Sequence, residues 1–350
     1  MTPTVSVCTR CTRLITALAL ALFVLATPAQ ALADGHGGKK IKVGLAAGLG
    51  ELDDDSFNEM QRAGLVLAAK AYDIEYIVEP PSRPEHIPAT IEDLLYKDCN
   101  VVICGGGYLM VDILLEAAAR RPDTTFVLLD APLPQYPPNA ASVTFRQNEA
   151  SYLAGALASA TTKTCKIAFL GASDLPIIRD FYVGYKAGAR HVNPDVETEE
   201  RYIGDLAGNF NPYLSPLKAR SLANDIYEHG ADIIFAVAAG SNMGVFSGAR
   251  ERPGAFAIGV DSDQDHMARG HILTSVMKRM DHAILRVIGL LRVGRLENRN
   301  YSMGLLEGGV SLSPMTYTRK LIPPEVLRTV ERIKREILRG ELKVPSAVDY

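Results

Sequence analysis

The 350 residues carry 37 Lys and Arg against 40 Asp and Glu, a formal charge of −3, and nothing in that balance supports a nucleic-acid partner. Once an export segment is set aside, a chain of roughly 300 residues suits two domains. Beyond that segment no apolar run reaches the ~20 residues a membrane span needs.

The export segment is residues 1–33. Arg10 and Arg13 precede the apolar run "LITALALALFVLA", and "TPAQALADG" follows with two A-x-A patterns, at Ala29/Ala31 and Ala31/Ala33. This is the layout of a cleaved signal peptide and predicts a soluble periplasmic product. Cys8 and Cys11 lie before the apolar run, so neither becomes a lipidated N-terminus. Cys99 and Cys104 flank the strand-like "NVVI", about 16 Å apart if extended, whereas a disulfide needs Cα atoms within about 7 Å. With Cys165 the count is odd, which argues against a disulfide framework, and all three are expected to pack in the interior.

From Lys40 onward strands alternate with helices. "KIKVGLAAG", "IEYIVE", "NVVICGGG", "TFVLLDA" and "AASVTF" are short apolar runs, and "SFNEMQRAGLVLAAKAY", "HIPATIEDLLYK" and "MVDILLEAAARR" have apolar residues at helical spacing. After the helix "EASYLAGALASATT" the pattern starts again through "CKIAFLGA", "IRDFYVGYKAGARHV", "EERYIG", "LKARSLANDIYEHG", "DIIFAVAAG" and "AFAIGVD". "ILTSVMKRMDHAILRVIGLLRVGR" adds a strand and a helix, "NYSMGLLEGGVSLS" reads as strand, and "PEVLRTVERIKREILRG" is a final amphipathic helix. Such alternation predicts parallel sheets covered on both faces, in two α/β units of similar size.

In open α/β sheets ligands sit outside the carboxyl ends of the strands, which selects "GLGELDDDSFN", "GGGY", "DAPL", "GASD", "AAGSNMG" and "DSDQD". Within Asp53–Asp55, one carboxylate is expected to cap the following helix and the others to complement its dipole. Phe57, on the first turn, is either a core residue or a ring that stacks on a planar ligand. "DSDQDH" fails as a calcium loop, because His266 stands where the glycine is required and Ile272 where the glutamate is. Asp261 instead follows a strand directly, and its carboxylate is expected to accept hydrogen bonds from sugar hydroxyls. No G-x-S-x-G, G-x-x-x-x-G-K-[ST] or H-E-x-x-H occurs, nor any C-x-x-C after the export segment, so neither an enzyme, a cofactor nor a metal is expected.

Several stretches together, "DDDSFN", "TFRQNEASYLAGALA", "FYVGYKAGARHVNPDV", "GADIIF", "GVDSDQ" and "LTSVMKRMD", resemble the basic membrane protein family of transporter substrate-binding proteins, which includes purine nucleoside receptors. The resemblance implies a type I periplasmic binding fold: two doubly wound parallel-sheet lobes joined by a three-segment hinge. One lobe is expected to comprise 40–145 and 264–305, the other 146–263 and 306–350. It implies a monomer that closes on a nucleoside or related sugar-bearing planar compound and delivers it to an ABC permease of the inner membrane. A sensory receptor would use the same cleft with another partner.

By the same resemblance Phe57 is the first ring against the base, with Phe181 or Phe235 the second. Asp261 and Lys278 hold the ribose, and Asn58, Asp130 and Gly240 complete the ligand-binding set. Relatives commonly read T-D-x-G-G-x-x-D-x-S-F-N, the first aspartate meeting the purine edge; here Gly48 occupies that place, and Asn242 replaces a glycine of their A-A-G-G-T-G. Gly48 is therefore expected to change base recognition and to leave room for a bulkier substituent near Phe57.

Overall fold

The computed structural model describes residues 40–207 and 210–348. The predicted signal peptide, its cleavage site, Cys8 and Cys11 lie outside them. The first series runs β1 (Lys42–Ala46), α1 (Phe57–Tyr72), β2 (Glu75–Glu79), α2 (Ile87–Tyr96), β3 (Val101–Cys104), α3 (Val111–Arg120), β4 (Thr125–Leu129) and β5 (Ala140–Phe145). The second runs α4 (Gln147–Thr161), β6 (Lys166–Gly171), α5 (Pro176–Val192), β7 (Glu197–Tyr202), α6 (Pro216–Glu228), β8 (Ile233–Val237), α7 (Asn242–Arg250), β9 (Phe256–Asp261) and β10 (Ile272–Lys278). There follow α8 (Met280–Arg292), β11 (Asn300–Met303), β12 (Val310–Leu312) and α9 (Pro324–Leu338).

These strands form two six-stranded sheets, ordered β11-β5-β4-β3-β1-β2 and β12-β10-β9-β8-β6-β7. Every pair is parallel except β10 with β12. Interior strands such as β3, VVIC, are buried along their whole length, as a sheet covered on both faces requires. The edge strands β2 and β7 carry Glu75, Glu79, Glu197, Glu199 and Glu200, charges that discourage edge-to-edge pairing. One apolar core joins α1, α4, α5, α8 and α9 to one face of both sheets, while α2 and α3, and α6 and α7, cover the opposite faces.

The glycines of "YLAGALA" and "FYVGYKAGA" have a packing explanation. A Cβ at Gly155 would lie 1.9 Å from the Tyr185 carbonyl oxygen, and one at Gly188 1.9 Å from that of Tyr152. Only glycine lets α4 and α5 approach so closely.

The chain passes between the sheets after β5, after β10, and between β11 and β12. The boundary expected at residue 264 is corrected by this path. β10 pairs with β9, Ser275 opposite Gly259 and Met277 opposite Asp261, so the crossing falls at Arg279 and residues 264–278 belong to the second lobe. An apolar strand such as "ILTSVMK" suits either sheet locally, and its pairing decides. "NYSMGLLEGGVSLS" likewise divides into β11 and β12, one in each sheet. Cys99 and Cys104 are buried free thiols, but Cys165, also free, is exposed and is not the packing residue expected.

Candidate functional site

The loops after β1, β3 and β4 face those after β6, β7, β8 and β9, with the end of β10 between them, around a cavity of about 680 Å3. Its charged floor comes from three strand ends. Asp130 and Asp261, just after β4 and at the end of β9, both have left-handed backbones, with φ of 67° and 66°, a region that Asp tolerates better than most residues. Lys278, the last residue of β10 and 2% exposed, donates from Nζ to both Asp130 carboxylate oxygens, at 2.7 and 2.9 Å. The same Nζ lies 5.1 Å from the Phe181 ring centroid and 5.8 Å from that of Phe57, within cation–π range. One ammonium thus ties the two lobes together beside both aromatic rings.

Across the cleft, the Ser56 hydroxyl donates to Asp261 Oδ2 at 2.7 Å. Burial raises the Asp261 carboxyl to about 6, despite Lys278 and the Ser56 hydroxyl, and Asp54 and Asp130 push the same way. Burial also raises Asp130, against the pull of Lys278.

The three consecutive aspartates have three separate roles. The Asp54 carboxylate accepts the backbone N–H groups of Ser56, Asn58 and Glu59, at 2.9 to 3.1 Å, and so caps α1; burial raises its pKa and those three donors oppose the rise. Asp53 pairs with Arg62 at the surface, at 2.7 Å. Asp55, at φ 48°, turns its carbonyl to the other lobe, where it accepts from the Ser262 hydroxyl and, at 3.0 Å, from the Gln264 side-chain amide. The motifs "DDDSFN" and "GVDSDQ" therefore meet each other when the lobes are closed.

Of the residues expected at the ligand, Phe57, Asn58, Asp130, Phe181, Asp261 and Lys278 line the cavity, whereas Phe235 and Gly240 are not part of its wall. Phe235 is fully buried behind Phe181, with ring centroids 6.1 Å apart, and its edge contacts with Phe169 and Phe181 make it core. Its position in the middle of β8, rather than after it, explains this. Asn242 braces its own loop, accepting from the Ala238 N–H at 2.9 Å and donating to Gln264 at 3.3 Å. Gly48 is not left-handed, yet the space beside it is filled. A Cβ there would sit 2.9 Å from Asn58 Oδ1 and 3.1 Å from the Phe57 ring, so the room expected for a bulkier substituent at that point is absent. Asn58 Nδ2 donates to the Glu51 carbonyl at 3.1 Å, while its buried Oδ1 has no partner.

The apolar wall is made by Leu49, Tyr108 and Leu109 from the first lobe, with Leu175, Ile177 and Leu206 from the second; the stretches selected from the sequence contain Leu49 and Tyr108, but none of the six was singled out. All follow strand ends, which was the available signal, but leucine in a loop reads as packing until the fold shows what it faces.

A family model described as "ABC transporter substrate-binding protein PnrA-like" matches residues 41–347. "Basic membrane protein D" of Borreliella burgdorferi is 30% identical over 301 residues, 85% of each chain. "ABC transporter nucleoside-binding protein BmpA" of Lactococcus lactis is 29% identical over 262 residues, 70% of this chain and 71% of that one. An ABC transporter solute-binding protein from Aeropyrum pernix superposes with a TM-score of 0.77 at 24% identity, over 87% of this chain and 94% of that one, which shows the shared two-lobed fold.

Proposed function

Because the chain belongs to the PnrA-like family of ABC transporter substrate-binding proteins, we propose that it captures a nucleoside or related sugar-bearing planar compound between its lobes and, as a periplasmic monomer, delivers it to an ABC permease of the inner membrane. The observation that carries this reading is the buried Asp130–Lys278–Asp261 floor beside the rings of Phe57 and Phe181. Carboxylates and an ammonium held out of water suit hydroxyl groups, which donate to the former and accept from the latter. Phe57 and Phe181 suit a planar ring, and the unpartnered Asn58 Oδ1 suits an N–H on that ring's edge. The nucleoside-binding name of the Lactococcus lactis relative agrees with this.

In this reading the site binds and does not transform its ligand. Closure is part of binding, since Ser56 and Asp55 of one lobe hydrogen-bond Asp261, Ser262 and Gln264 of the other. A thermal-shift screen of nucleosides, nucleobases, flavins and sugars, with mass spectrometry of small molecules released on denaturation, tests it. A ligand at one hundred times its Kd adds roughly 2.7 kcal/mol. A screen in which no sugar-bearing planar compound raises the Tm refutes the reading.

A further inference from the structure

The cavity is not uniform from one end to the other. In the second sheet Lys278 and Asp261 come from the adjacent strands β10 and β9, while Leu175 and Ile177 follow β6 and Leu206 follows β7. Neighbouring strands are about 4.8 Å apart, so β6 is roughly 10 Å and β7 roughly 14 Å from β9. In the first sheet Asp130 follows β4 while Tyr108 and Leu109 follow the adjacent β3, and the long loop after β1 carries Leu49 before it reaches Asp261 and Lys278 through Ser56 and Phe57. The buried charged groups thus lie at the strands nearest the crossings between lobes, and the leucines of the wall follow strands farther from them.

Two polar side chains of the cavity wall are already committed. The Ser173 hydroxyl donates to the Gly204 carbonyl at 2.7 Å, and the Asp54 carboxylate accepts three backbone N–H groups. Asp205 lies exposed at the mouth. Tyr108 and Tyr213 add rings to the wall, each with a hydroxyl that burial keeps protonated, Tyr213 at about 12, and so able to donate one hydrogen bond. Leu109, Leu175 and Leu206 remain 49%, 46% and 36% exposed, apolar surface that an occupant of the cavity would withdraw from water. Next to Phe57 in the wall, Asn58 offers a buried acceptor with no partner.

Resting on the riboside reading above, we propose that the ligand is a riboside whose ring carries an N–H and, attached there, an apolar substituent. Its hydroxyls meet Asp130, Asp261 and Lys278, its ring lies between Phe57 and Phe181, and its N–H donates to Asn58 Oδ1. The substituent fills the end walled by Leu109, Leu175, Ile177 and Leu206. A bare guanosine or inosine presents hydrogen-bonding atoms to that wall and leaves them unsatisfied there, a situation that lowers affinity.

The test is calorimetric titration of the protein purified from cells expressing the full chain and freed of copurifying ligand. The probes are N6-benzyladenosine, adenosine, inosine and the sugar-free N6-benzyladenine. N6-Benzyladenosine is expected to bind at least about tenfold more tightly than adenosine or inosine, a ratio that hydrophobic discrimination can supply. Leu175→Gln, at a partly exposed position that the fold tolerates, is expected to lower affinity for N6-benzyladenosine more than for adenosine. Adenosine or inosine binding as tightly as N6-benzyladenosine overturns the apolar-end proposal and leaves the riboside reading standing. No binding by any of the three ribosides overturns the proposal made here, and N6-benzyladenine binding as tightly as its riboside overturns both.

Discussion

Asp261→Asn probes charge and binding with one atom exchanged. Burial lifts the parent carboxyl from 3.8 to about 6, about two pH units, or about 3 kcal/mol against the ionised form. A folded pKa above the unfolded one means that the group's contribution to stability is fully present below about 3.8 and is lost as pH rises through about 6. At pH 7.5 the charged Asp261 therefore opposes folding of the ligand-free protein. Asparagine carries no charge, keeps an acceptor for the Ser56 hydroxyl, and tolerates the φ of 66° at which alanine is strained. The ligand-free variant should accordingly be more stable than the parent at pH 7.5, by up to about 3 kcal/mol, with the gap closing near pH 4. Binding should move the other way. Hydroxyls that donate to a carboxylate gain about 1.5–3 kcal/mol each, so the variant should lose at least tenfold in affinity at pH 7.5. Since the ligand selects ionised Asp261, parent affinity should also fall about tenfold between pH 7.5 and 5, and the variant should lack that component. Urea denaturation and calorimetric titration at pH 5, 6 and 7.5 provide both readouts. A variant that binds as tightly as the parent, or a parent whose pH profile the substitution leaves unaltered, refutes the assignment.

Ser56→Ala removes the hydroxyl that joins the lobes through Asp261; a charge-assisted bond of about 1.5–3 kcal/mol is lost, and small-angle scattering of the ligand-bound protein should show a more open form. Scattering identical to the parent would count against closure through this contact. Lys278→Met leaves Asp130 and Asp261 buried without their cation, a change that costs about 3–5 kcal/mol and should lower Tm. The loss should be smaller at pH 5, where the raised carboxyls take up protons, and an equal loss at pH 7.5 and 5 would rule out the ion pair as its cause. Phe57→Ala should weaken any planar ligand by about 0.5–1.5 kcal/mol beyond the area lost, while sugars without a ring substituent should be little affected; equal losses for both in calorimetry would place Phe57 outside the ring site.

The succession of strands and helices was legible because it is written locally: short apolar runs for the strands, helical spacing for the helices, and glycine after several strands. The rule of strand ends likewise led from "DDDSFN", "LLDA" and "GVDSD" to the cavity, and the cap at α1 is a matter of Asp54 and the next few residues. What sequence reasoning could not reach is what depends on closing the chain over long distances. Lys278 and Asp130 are 148 positions apart and Ser56 and Asp261 are 205 apart; strand ends point Asp130 and Asp261 to the cleft, but nothing local says which residue each one meets there. The sheet that β10 joins, the burial of Phe235 behind Phe181, and the occupation of the space beside Gly48 by Asn58 and Phe57 are decided in the same way. Each turns on which surface a side chain meets when two sheets are brought together, and that is a property of the packed lobes, not of any stretch of residues within them.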